Sequence, residues 1–272
     1  CNLLLIPINW GLETLKWRSL LQGFSDYSFW RTYKAILVGI TVGLFTPNRV
    51  GEYGGRVLMV APEHNWKAVV ATMVGSFSQL LVLIAFGILG TTYFCSTFLK
   101  LSPYLLYILS SLGLLLIVLL LFCFYNIDLL TTIAKRISWT KYFKKYVKDL
   151  NVLTDYPANI LSKTLGYALL RCVVYFVQYY LMLRFFGIDA PLLTGFAGIA
   201  TVYLIQTGIP LPPLLDLLAR GEIALFVWSY FTTDEVAVLA TSFTLFILNL
   251  IVPALIGALF IFKINILKSL GL

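Results

Sequence analysis

Arg49, Gly51, Glu52 and Arg56 lie in the polar run TPNRVGEYGGR (46–56), directly after the apolar AILVGITVGLF. A guanidinium is a planar fork that grips phosphate or carboxylate through paired hydrogen bonds. A glutamate beside it can hold the fork in place or take up a proton when the site changes state. The same residue types recur as Arg220, Gly221 and Glu222 within PLPPLLDLLARGEIAL (210–225), again after a glycine-containing apolar segment, GFAGIATVYLIQTGI. Proline precedes both: Pro47 in the first run, and Pro210, Pro212 and Pro213 in the second. A third set, Arg171, Tyr175, Gln178 and Met182, falls at i, i+4, i+7 and i+11, one face of a helix. The chemistry these types share is recognition of an anion.

The elements around them are membrane segments. Charged residues make up only 12% of the chain and hydrophobic ones 60%, with a mean hydropathy of +0.91, far from soluble-domain usage. Residues 68–94, 104–126, 160–187 and 235–262 are each long enough to cross a hydrocarbon core of about 30 Å. Residues 35–46, 190–209 and 222–231 are shorter, and the first and last of these read as broken or re-entrant helices. The expected fold is an all-α integral membrane protein, a polytopic bundle of about eight segments with two re-entrant or broken helices.

Proline and glycine free backbone groups that lipid cannot satisfy, so the two polar runs must be buried in protein or line a wet cavity. Half-helix N-termini there would turn a positive dipole end toward an anion. An arginine as deep as Arg171 costs at least about 2.5 kcal/mol on insertion scales, so it should face the bundle interior, with Glu52 and Glu222 as the expected partners. Site lining and a purely structural Arg–Glu clamp are compatible readings of it. Gln79, Gln206 and Asn249, alone in apolar spans, suit interhelical hydrogen bonds.

The net charge of +8 sits mostly in short loops, where it reports orientation rather than nucleic-acid binding. Lys135, Arg136, Lys141, Lys144, Lys145 and Lys148 place segment 127–159 in the cytoplasm, and the C-terminal KINILKSLGL with it; the acidic turn TTDE falls outside. LKWRSLLQGFSDYSFWRTYK and SWTKYFKKYVKDL both read as amphipathic anchors at the cytoplasmic interface. With that topology the two arginine–glutamate motifs enter from opposite sides, the mark of an inverted repeat: half one over 1–126 and half two over 160–272 of a single transmembrane domain. The chain opens at Cys1, without methionine and already apolar, which reads as a lost start.

Cys1, Cys95, Cys123 and Cys172 form no CxxC pair and look like small packing residues. His64, the sole histidine, lies in the loop PEHNW, which disfavours histidine-based nucleophilic or metal chemistry. A Gly-x-x-x-x-Gly-Lys-Ser/Thr run is absent from the sequence, so movement of a substrate would draw on a gradient or a partner. No cofactor or metal is expected.

Taken in order, WGLETLKWRSLL (10–21), TPNRVGEYGGR, a basic middle loop and LPPLLDLLARGEIAL resemble the lysylphosphatidylglycerol synthase transmembrane family, also called flippase-like domain proteins. The most specific portion is Pro47 to Glu52 followed by Arg56. The resemblance implies a helix bundle with re-entrant segments that moves lipids, or lipid-linked groups, between leaflets of the cell membrane. Two-domain members add a soluble synthase domain that has no counterpart in these 272 residues, so the synthase activity is not carried over. Many relatives have a glycine-rich second motif where this chain reads PPLLDLLAR, which alters the backbone of the second half. The expected partners are membrane lipids with anionic headgroups; an enzyme that makes the lipid, and self-association, stay open. The competing readings are a membrane enzyme or accessory subunit acting on a lipid headgroup or lipid-linked sugar, and a scaffold held by an internal ion-pair clamp.

Overall fold

A computed structural model describes residues 2–22, 26–46, 49–128, 156–209, 211 and 213–262. The basic cluster 135–148, the anchor SWTKYFKKYVKDL, the C-terminal KINILKSLGL, Pro47, Pro210 and Pro212 lie outside the described residues. The described residues are helical and contain no strand. In chain order the helices are α1 (Asn2–Leu21), α2 (Phe29–Leu44), α3 (Gly51–Val57), α4 (Asn65–Phe94), α5 (Pro103–Tyr125), α6 (Ala158–Phe185), α7 (Leu192–Thr207), α8 (Pro213–Trp228), α9 (Glu235–Phe246) and α10 (Val252–Ile261).

Among the described residues, four stretches are long and apolar enough to cross a bilayer: Pro62–Leu99 around α4, α5, α6, and Glu235–Ile261, which joins α9 to α10 through one π turn. That π turn, Ile247–Ile251, has a local cause. Pro253 has no N–H to give the carbonyl of residue 249, so the regular i→i−4 ladder fails there and the wider turn takes its place. Helix starts are marked as the residue types dictate: Ser28, Ser102 and Asp234 cap α2, α5 and α9 through their side-chain oxygens.

The short segments form two helix pairs. The α2 helix runs 16 residues, starting six residues before the apolar stretch because FWRTYK continues the same helix; the chain then turns and α3 returns along it. Three glycines in the seven residues of α3 cost about 1 kcal/mol each in helix propensity, so packing must hold it. They also allow that packing. A Cβ on Gly55 would stand 2.7 Å from the Gly39 Cα and 2.8 Å from the Val38 carbonyl oxygen, so the two backbones touch. The second pair, α7 and α8, repeats the pattern with another 16-residue helix followed by a helix carrying the second polar run.

The two sets of helices run in opposite senses. α1 lies antiparallel to α6, with Asn9 beside Arg171 and Ser19 beside Thr164. α4 packs antiparallel on α7, where Gly87 meets Leu204 and Gly90 meets Ala197 and Ala200. The reciprocal contact joins α10 to α2: Thr41 donates its hydroxyl to the Ala254 carbonyl at 2.7 Å, and Lys34 lies over Phe260. α4 thus packs on the later short pair, and α10 on the earlier one.

One expectation fails here. The stretch read as an interfacial anchor from Lys16 onward instead contributes α1, whose polar face turns inward: Asn9, Glu13 and Lys16 are buried, Lys16 to 1% exposure. Arg18 and Trp30 keep the outward character expected of an interface.

Candidate functional site

A cavity of about 510 Å³ opens where α1, α3, α4, α6, α7, α8 and the π turn at Asn249 converge. Its centre is Glu13. This carboxylate accepts from Lys16 at 2.7 Å, Arg56 at 2.9 Å and Arg171 at 2.7 Å, with all four side chains at 10% exposure or less. A single buried anion thus ties α1 to α3 and α6. Arg171 also donates to Asn9 Oδ1 at 2.7 Å and to the Tyr175 hydroxyl at 2.9 Å, and its guanidinium lies 4.9 Å from the centre of the Trp10 ring. Such saturation is what keeps a charge tolerable away from water.

The α2–α3 turn brings a second carboxylate. Glu52 pairs with Arg56 at 3.4 Å and with Arg49 at 3.8 Å. Arg49 holds a left-handed backbone, φ 55°, a conformation that costs a non-glycine residue about 1–2 kcal/mol. Packing around the turn keeps that strain at the cavity wall. Across the cavity, Asp216 accepts from Arg220 Nε at 3.0 Å and Nη2 at 2.7 Å. Gln206 sits against this pair and, with its amide oxygen toward the guanidinium, accepts from Arg220 Nη2 at 3.1 Å.

Of the residues expected from sequence, Arg49, Glu52, Arg56, Arg171, Tyr175 and Arg220 all line the cavity. Four others do not. Gly51 gives its N–H to Thr46 Oγ1 at 2.7 Å and has its Cα against the Val42 carbonyl, so it closes the α2–α3 turn and offers no dipole end to a ligand. Gln178 is fully buried one layer behind, accepting from Asn249 at 2.9 Å. Gly221 is a packing residue whose missing Cβ makes room for Leu239 and Phe243. Glu222 is exposed, because the turn of α8 that points Arg220 inward points Glu222 away. The partners expected for Arg171 are corrected with it: Glu13, Asn9 and Tyr175 hold it.

The correspondence between the two polar runs also changes register. What repeats is an acid followed four residues later by arginine, Glu52 with Arg56 and Asp216 with Arg220. Both pairs lie on one helix face, where such pairs meet. The interhelical roles expected of Gln79, Gln206 and Asn249 hold: Gln79 reaches the Ala168 carbonyl on α6, Gln206 accepts from Arg220 on α8, and Asn249 links Gln178 to Asn9. Sequence reading missed Glu13, Lys16 and Asn9. Their signal was present: Asn9, Glu13 and Lys16 are spaced i, i+4, i+7, one face of a helix that begins in apolar NLLLIPINW.

A bundle of apolar spans around a charged cavity defines a multi-pass membrane protein with a polar site among its helices. The chain belongs to the lysylphosphatidylglycerol synthase TM region family, whose pattern it matches over residues 2–257. This is a family of membrane domains linked to flippase-like lipid translocation. No curated protein and no solved structure gives a match.

Proposed function

We propose that the protein translocates a phospholipid, or a lipid-linked anionic headgroup, between the leaflets of the cell membrane by admitting the headgroup to this cavity while the acyl chains stay in the bilayer. The observation that carries the reading is the cavity itself: charged groups from α1, α3, α6 and α8 gathered among helices long enough to span. The α2–α3 and α7–α8 pairs belong to sets of helices that run in opposite senses. With segment 127–159 on the cytoplasmic side by its positive charge, one pair enters from the cytoplasm and the other from outside, and their turns meet at the cavity through Arg49 and Ile209. The two halves, 1–126 and 160–272, then rock about the Glu13 junction to expose the site alternately. Transport suits the site better than catalysis, since Glu13, Glu52 and Asp216 are each engaged in ion pairs with neighbouring cations.

The test is reconstitution in liposomes carrying headgroup-labelled lipids, with wild type beside Glu52→Gln. Glu52 bridges the strained turn to the buried cluster, so its neutralisation is expected to stop accelerated movement while leaving the folded protein intact. Wild-type rates in the variant would remove Glu52 from the mechanism. A chemically altered lipid in the mass spectrum would replace transport with an enzymatic reading.

A further inference from the structure

The charges around the cavity do not balance. Among the described residues, five basic side chains line it against three acidic ones. Asp216 and Arg220 neutralise each other on α8. The surplus therefore lies on the other wall, where Lys16, Arg49, Arg56 and Arg171 share only Glu13 and Glu52. Both carboxylates already accept from more than one cation. Unmatched charge inside a membrane protein is costly and is normally met by a partner ion.

Two donors on residues of this wall lack an acceptor. Arg56 Nε and Trp10 Nε1 have no hydrogen-bond partner among the described residues, although each residue is only 3% exposed and each lines the cavity. Buried N–H groups left unpaired call for an acceptor. Phosphate oxygens supply acceptors and negative charge together, whereas an ammonium headgroup would add to the positive excess and accept nothing.

We infer that the cavity takes a group bearing two negative charges, a phosphate monoester or a diphosphate carried on a lipid, seated between Arg56, Arg171 and Trp10. This rests on reading the cavity as a headgroup site, and it adds the headgroup's charge and chemistry. A monoanionic diester leaves one positive charge unmatched, and a zwitterion leaves both.

The test uses the full chain in detergent micelles, with Trp fluorescence and thermal stabilisation as readouts. Phosphatidic acid is supplied well above its second ionisation, which lies near pH about 6 for a phosphate monoester. Phosphatidylglycerol, phosphatidylcholine and inorganic pyrophosphate are titrated beside it. Phosphatidic acid is expected to bind at least about tenfold more tightly than phosphatidylglycerol, a difference of about 1.4 kcal/mol, with phosphatidylcholine weakest. Lys16→Met lowers the excess to one charge and should erase or reverse that preference. Should Lys16→Met fail to fold, Arg49→Gln removes a positive charge from a partly exposed position and carries the same expectation. Equal affinity for phosphatidic acid and phosphatidylglycerol in wild type overturns the two-charge assignment and leaves the headgroup reading standing. Pyrophosphate binding without lipid binding supports the two-charge site and removes the lipid. No response to any probe overturns both.

Discussion

Neutralising Glu13 tests the central junction. The glutamine of Glu13→Gln keeps the shape but presents one acceptor oxygen and an NH2 group to three cations that now lie at 2.7 to 2.9 Å. Removing one partner of a buried ion pair costs about 3–5 kcal/mol, because the remaining charge stays desolvated. Here one side chain serves three partners, so the lower figure is a floor. At about 2–4 °C per kcal/mol for a chain of this size, 3 kcal/mol becomes a loss of about 6–12 °C in the thermal midpoint. The assay is thermal unfolding in detergent or nanodiscs, followed by tryptophan fluorescence. Removing a cation at the same time should recover part of the loss: Glu13→Gln combined with Lys16→Met is expected to be more stable than Glu13→Gln alone, with a coupling of about 0.5–3 kcal/mol. Added dianionic lipid should also recover part of it by supplying the missing charge. An unchanged midpoint in Glu13→Gln, or strict additivity in the double variant, would refute the claim that Glu13 holds three buried cations together.

The glycine contacts make a second prediction. Gly55→Ala drives a Cβ into the backbone of α2 and is expected to lose about 1–3 kcal/mol, whereas Gly54→Ala, with nothing within 4 Å, should be neutral or stabilising by up to about 1 kcal/mol; the thermal midpoints compare them directly. Thr41→Val removes the 2.7 Å hydrogen bond to Ala254 and leaves that carbonyl with one donor fewer, for an expected loss of about 1–3 kcal/mol by the same measurement. Arg49→Gly relieves a left-handed backbone and removes a cavity cation together, so it should raise the midpoint while slowing lipid movement in liposomes.

The long spans were legible because about 20 consecutive apolar residues admit few other readings. Arg171 was legible as an inward-facing residue because a deep arginine has nowhere else to go, and the i, i+4, i+7 spacing placed Tyr175 and Gln178 on its face. The run Arg49 to Arg56 stood out as polar chemistry between apolar segments. Its exact roles did not, since Gly51 serves the turn and Glu222 in the matching run faces outward. α1 was the main loss. Lys16, Arg18, Trp17 and Trp30 lie close together in sequence, and that mixture matches an interfacial anchor; only the tertiary partners on α3 and α6 turn Glu13 and Lys16 inward. A buried charge whose partners lie 43 and 158 residues away in sequence leaves no local pattern that distinguishes it from a surface one.

Translocation requires a lipid headgroup to enter among these helices. Photo-crosslinking tests this directly, with two lipids that carry a diazirine in the headgroup or at the end of the acyl chain, each irradiated in membranes containing the protein. The headgroup probe is predicted to label Tyr175 and Tyr203 on the cavity wall, and the tail probe the outward leucines of α5 such as Leu114 and Leu115. Headgroup labelling confined to helix ends, with the cavity residues unmodified, would contradict it.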